Sequence, residues 1–151
     1  MPSAEYKEYD QACAKIKQEN AKLLVDFEQW LLGKGLAEKT IRQHTENADF
    51  YINDFLLYED AIPAKNGMAN VSMFLGYWFI RKAMWASPAS IKQNAVSLKK
   101  FYTFMQEQDH IDADDLQYLK ETIKEGMPEW VATVERFDDP DITDPMEVWG
   151  L

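Results

Sequence analysis

The sequence predicts an all-α protein, and three observations carry that prediction. Apolar residues recur at steps of three and four along successive stretches, which is the period of a helix with one buried face. No stretch alternates apolar and polar residues in the two-residue period of a strand. Turn and cap signals separate the periodic stretches, at Gly33, at 63–67 (PAKNG), at Ser87-Pro88 and at Gly126.

The stretches follow in order. Leu23, Leu24, Phe27, Trp30 and Leu31 define a first helix ending near Leu32, with Gly33 suited to its C-terminal position. Upstream, Tyr6, Tyr9, Cys13, Ile16 and Asn20 continue a similar period, so one long helix or two shorter ones fit. A second helix begins at Glu38, with Leu36 before the cap and Ile41 inside the helix forming a hydrophobic staple. Its core face reads Ile41, Ala48, Ile52 and Phe55. Ala37 stands where Ser or Thr would cap, so fraying is expected at this start.

Val71, Phe74, Leu75, Trp78 and Phe79 define a third helix with a wide apolar stripe. A second stripe, Met73, Tyr77, Ile80 and Met84, runs beside it and needs either a covering segment or a protein partner. Ser87-Pro88 supplies a cap and a first-turn proline for a fourth helix, whose buried face is Ile91, Ala95, Leu98, Phe101 and Met105. Residues 112–125 read as a fifth helix stopped by Gly126, and 128–137 as a short sixth. The expected organisation is one helical domain over 1–137 and an acidic, extended tail over 138–151, in which Val148 and Trp149 are available to dock.

Composition bounds the function. Hydrophobic residues make up 46% of the chain and aromatics 13%, enough for a packed core. The single Cys13 excludes an internal disulfide, and with two histidines no Cys/His metal set is expected. A polar N-terminus without an apolar run predicts no secretion signal, and a cytoplasmic setting follows. The most apolar stretch, 71–80, is far short of the ~20 residues that cross a bilayer, so no membrane partner is expected.

The net charge of −10 opposes binding to nucleic acid, but it is unevenly spread. Residues 33–100 hold nine basic and six acidic side chains, a net of +3, whereas residues 101–151 hold three and fourteen, a net of −11.

Several motifs carry no chemistry on inspection. Asp112, Asp114 and Asp115 suggest a calcium loop, but Gln117 and Ile123 occupy the positions that need Gly and a bidentate Glu. An acid-rich first helical turn accounts for them. Gly33-Lys34-Gly35 lacks the spacing of a phosphate loop. His44 has no nucleophile or second histidine near it in sequence and reads as a surface or boundary residue.

Phe27, Trp30 and Leu31, then GKGLAEKTI (33–41), SIKQNAVSLKKFYTFM (90–105) and DDLQYLKETIK (114–124), form a pattern similar to the SAM-like core-binding domain of phage-integrase-type tyrosine recombinases. The resemblance covers about residues 20–125. It implies an orthogonal four-helix core-binding bundle with additional N- and C-terminal helices, and double-stranded DNA as partner. By matched position it implies DNA contacts from Lys34, Lys39, Thr40, Arg42 and Gln43 on one side. Ser87, Ser90, Lys92, Gln93, Ser97 and Lys100 are the implied contacts on the other. Lys and Arg would neutralise phosphates, Ser and Thr would add neutral donors, and Gln43 or Gln93 could read an adenine edge.

Recombinase catalysis in that family uses an Arg pair, a Lys, a His-x-x-Arg element and a Tyr nucleophile in a further domain. Here His44 is followed by Thr45-Glu46-Asn47 and His110 by Ile111-Asp112-Ala113, so no His-x-x-Arg occurs. The expectation is a binding module without catalysis, metal or cofactor. The competing expectation is a protein-interaction domain that keeps the scaffold and has lost DNA binding. In either case the acidic tail could fold over the basic face and oppose DNA.

Overall fold

The computed structural model describes residues 4–138, and all five helices below lie within them. No strand occurs among the described residues. Helix α1 is a single helix over Ala4–Gly33, the longer of the two forms the sequence allowed. It ends where Gly33 was expected to end it, and Gly35 takes the left-handed backbone of the turn at φ 78°. Helix α2 spans Glu38–Asp49, and Ala37 precedes it without a side-chain cap.

From Asp49 the chain continues into a π-helical turn, Phe50–Phe55, closed by the Leu56 N–H on the Tyr51 carbonyl at 3.0 Å. A π turn inserts one residue into the helical repeat. Positions beyond it therefore face the core one residue later than a constant period predicts. This is why Leu56 is fully enclosed while Phe55, assigned to the core face from sequence, is half-buried. Asn20 of α1 donates to the Ile52 carbonyl at 3.2 Å inside that widened turn.

A 3-10 segment over Ala64–Asn70 leads into α3, which is built of three continuous pieces. These are Val71–Met73, a second π turn Phe74–Trp78, and Phe79–Lys82. The same register shift corrects the second stripe of this helix. Ile80 is 1% exposed and belongs to the core with Phe79 and Ala83, whereas Met73, Tyr77 and Met84 stay on the surface. The two π turns meet through their rings, with Phe55 5.0 Å from Phe74 and Phe50 5.5 Å from Trp78. Contacts of this kind contribute about 0.5 to 1.5 kcal/mol each beyond burial.

Helix α4 spans Pro88–Glu107 and opens with a reciprocal cap between Ser87 and Ser90. All five residues assigned to its buried face, Ile91, Ala95, Leu98, Phe101 and Met105, are buried. Helix α5 runs unbroken over Ala113–Asp138, so the expected stop at Gly126 and separate sixth helix are replaced by one helix. At its start Asp115 N–H donates to Asp112 Oδ1 at 2.8 Å, and Asp112 N–H reaches Asp115 Oδ2 at 3.3 Å. The acid-rich segment is thus a helix cap.

Gly126 is a packing residue. A Cβ there would lie 2.2 Å from the Trp130 ring, and a Cβ on Gly76 of α3 would lie 2.7 Å from the same indole. The two glycines form the slot that lets Trp130 bury against α3. Pro128 sits on the exposed side, where the carbonyl that loses its helical donor can be hydrated.

One core cluster joins all five helices, from Phe27 and Leu31 through Tyr51, Phe74, Leu98 and Leu119 to Val134. Trp130 and Val134, beyond Gly126, belong to the same cluster. A smaller cluster of Cys13, Ile16 and Leu57 fixes the N-terminal half of α1, helped by a hydrogen bond from the Tyr9 hydroxyl to the Leu57 carbonyl. The acidic tail expected over 138–151 lies outside the described residues beyond Asp138.

Candidate nucleic-acid interface

The α2 and α4 helices pack side by side, because Ile41, Ala48 and Ile52 on one and Ile91, Ala95 and Leu98 on the other enter the same core. Polar groups at the edge of that seam then face each other. Gln43 Nε2 donates to Gln93 Oε1 at 2.9 Å, directly bridging the helices. One turn further, Asn47 Nδ2 donates to Ser97 Oγ at 3.0 Å, and Ser97 Oγ lies 2.7 Å from His44 Nδ1.

The donor inventory leaves two senses for this second bridge. Ser97 accepts from Asn47 and keeps a second lone pair and its hydroxyl hydrogen, so it meets His44 Nδ1 either as donor to the bare nitrogen or as acceptor from its N–H. Burial, followed by the nearby Lys100 ammonium, lowers the His44 pKa from its ordinary value. Both effects favour the neutral ring.

Above the seam, Gln43, His44, Lys92, Gln93 and Val96 line a shallow groove of about 200 Å³. Lys39 and Lys92 are exposed, and neither is in an ion pair with a described residue. Arg42 is exposed and reaches Glu38 one turn back at 3.4 Å. An exposed pair of this kind is worth little and leaves the guanidinium free to exchange partners.

The residues singled out from sequence therefore separate into groups. Gln43, Lys92 and Gln93 meet at one groove, with Lys39 and Arg42 on the exposed part of α2 and Lys100 further along α4. Thr40 is half-buried. Lys34 belongs elsewhere: its ammonium sits 4.9 Å over the Trp30 ring and 4.0 Å from Glu107, at the end of α1. Ser87 and Ser90 are engaged in capping α4, with Ser90 N–H on Ser87 Oγ at 3.1 Å and Ser87 N–H on Ser90 Oγ at 2.8 Å.

Ser97 is corrected outright. It is 0% exposed and its hydroxyl is used within the protein, so it supports the seam from inside and presents nothing to a phosphate.

Of the surface and boundary positions expected for His44, the structure excludes the first: it is 8% exposed at the seam and borders the groove. Its signal was present in the sequence: it stands three residues after Ile41 and four before Ala48, on the core face of α2. A lone polar residue on an apolar face must find a partner, and Ser97 on α4 is that partner.

Comparison with protein-family models, with curated proteins and with solved structures returned no match to this chain.

Proposed function

We propose that this chain is a non-catalytic DNA-binding module resembling the core-binding domain of site-specific tyrosine recombinases. In this reading the five helices are an orthogonal SAM-like bundle extended at both ends. The α2 and α4 helices face the duplex. The observation that carries the reading is the Gln43–Gln93 bridge, which joins the exposed edges of the two helices within a set of basic side chains, Lys39, Arg42, Lys92 and Lys100. Lysine and arginine neutralise phosphates with a gain from released counterions, while a glutamine amide can pair with an adenine edge in the major groove. The net charge of +3 over residues 33–100 supports the same surface.

A salt series tests the proposal. Affinity for labelled duplex should fall linearly on a log-log plot, each neutralised phosphate contributing about 0.9 to the slope. Replacing Lys39, Arg42, Lys92 and Lys100 together by alanine should flatten the slope by about 3 to 4. Lack of binding at low salt would remove the reading.

The second reading, a protein-interaction domain, is favoured by a different observation. Met84 is 99% exposed, and Met73, Tyr77 and Trp85 are also on the surface. Under that reading, substitutions at Met73 and Tyr77 abolish capture of a protein partner, while the four basic substitutions leave capture intact. Among the described residues no helix is long and apolar enough to cross a membrane.

A further inference from the structure

We propose that Met84 is a wedge that enters the base stack of bound duplex DNA, and that this gives the protein a preference for easily unstacked base steps. The proposal rests on the DNA-binding reading above and adds a contact beyond the α2/α4 groove. Met84 is 99% exposed, on the turn that joins α3 to α4. The turn is fastened at both ends. Ala83 is buried with its N–H on the Phe79 carbonyl at 2.9 Å, and the Ala86 N–H donates to the Ala83 carbonyl at 3.1 Å. Between them the Trp85 ring packs 5.7 Å from Phe50 and 6.2 Å from Phe79. These contacts hold the backbone in place and leave the Met84 side chain in solvent.

The same contacts set the turn at one end of the α2/α4 seam. Phe50 follows directly on α2, and the Trp85 carbonyl lies 3.1 Å from Ser90 Oγ in the first turn of α4. Gln93 stands one helical turn beyond Ser90, about 5 Å along the axis. The charge is favourable over the whole segment around the turn. Residues 61–106 contain Lys65, Arg81, Lys82, Lys92, Lys99 and Lys100 and no acidic residue, in a chain that holds 26 acids. Asp49, next to Phe50, is an acid that opposes this balance, and it accepts a hydrogen bond from Asn53.

Methionine suits this role because its side chain is unbranched and flexible, and apolar wedges of this kind part neighbouring base pairs and kink the duplex. The shape of the surface favours DNA over other occupants. A stable protein partner covers about 800 Å² on each side, far more than one projecting side chain and part of an indole provide. A lipid surface likewise binds through the apolar face of a whole helix. A single projecting side chain fits the gap that opens between two base pairs. Because pyrimidine–purine steps are the most easily unstacked, a wedge reads deformability at a position where no hydrogen bond is made.

A short duplex with one central TA step between stiff A-tracts tests the wedge, with 2-aminopurine in place of the adenine of that step and the full chain as ligand. Insertion of Met84 should raise the 2-aminopurine fluorescence severalfold on binding, since stacking quenches its emission. The protein should also bind this duplex about five- to tenfold more tightly than one in which the A-tract is unbroken. Met84→Ala, at a side chain exposed along its whole length, should abolish both effects and leave the salt slope, which counts phosphates, as it was. Met84→Leu should keep both effects. Unchanged fluorescence on a bound duplex overturns the wedge and leaves the DNA-binding reading standing, as does an equal rise with Met84→Ala. No duplex binding at low salt removes both. Self-association or binding to anionic vesicles that Met84→Ala abolishes, with fluorescence flat, also overturns the wedge, by assigning the turn to a second copy or to lipid.

Discussion

Gly126→Ala separates two physical roles for glycine by the sign of its effect. If Gly126 were an ordinary helix-interior glycine, alanine would stabilise α5 by about 1 kcal/mol through helix propensity alone. In the structure the added Cβ would meet the Trp130 ring at 2.2 Å, and the same indole lies so near Gly76 that a Cβ built there would stand 2.7 Å from it. Overpacking of this kind costs about 1 to 3 kcal/mol, and expelling the ring instead would forfeit about 3 to 5 kcal/mol of burial. The cheaper response sets the outcome.

After the gain in propensity, the expected net destabilisation is up to about 2 kcal/mol, or up to about 6 °C in Tm for a chain of this length. Circular dichroism melting reads it, with Gly33→Ala as the control because nothing lies within 4 Å of a Cβ there. In a Trp130→Ala background the sign should reverse, and Gly126→Ala should stabilise by up to about 1 kcal/mol. A rise in Tm for Gly126→Ala in the parent protein would refute the slot.

Three further outcomes follow from the same structure. Ala37→Ser should stabilise α2 by about 0.5 to 2 kcal/mol, since Ala37 already has the extended backbone of a cap at φ −67° and ψ 149°; chemical denaturation reads the gain. Ser97→Ala should cost about 1 to 3 kcal/mol by leaving His44 Nδ1 and Asn47 Nδ2 without their shared partner, and urea titration checks it. The lowered pKa of His44 means the unfolded chain takes up the proton first, so its contribution is full above about pH 6.5 and declines as pH falls below that value. His44→Gln should flatten the stability profile below about pH 6.5, and Lys100→Ala should move the His44 titration upward in an NMR series.

The buried faces of α2, α3 and α4 were legible because a constant period marks them: Ile41, Ala48 and Ile52, then Val71, Phe74 and Leu75, then the whole Ile91 to Met105 face. Legibility failed where the period changed. The π turns at Phe50–Phe55 and Phe74–Trp78 move the register by one residue, which exchanged Phe55 for Leu56 and drew Ile80 inward. It failed again at Gly126, whose signal as a helix stop and as a packing slot is the same single letter. At the candidate interface, the residue types were readable, but their grouping was not. Nothing local distinguishes Ser97, enclosed between α2 and α4, from an exposed serine on the same helix.

By itself the sequence determined that the chain is helical, where α2 and α4 begin, and which side chains are chemically able to meet a phosphate or a base. Those properties are local, set by backbone propensity, capping and the period of apolar residues. Only the tertiary structure decided that Gln43 and Gln93 bridge two helices, that His44 and Ser97 face inward, and that Trp130 passes between Gly76 and Gly126. Each of those depends on a contact between residues from different elements, or on a ring wedged between two of them. Such contacts follow from how whole faces pack, which no single segment encodes.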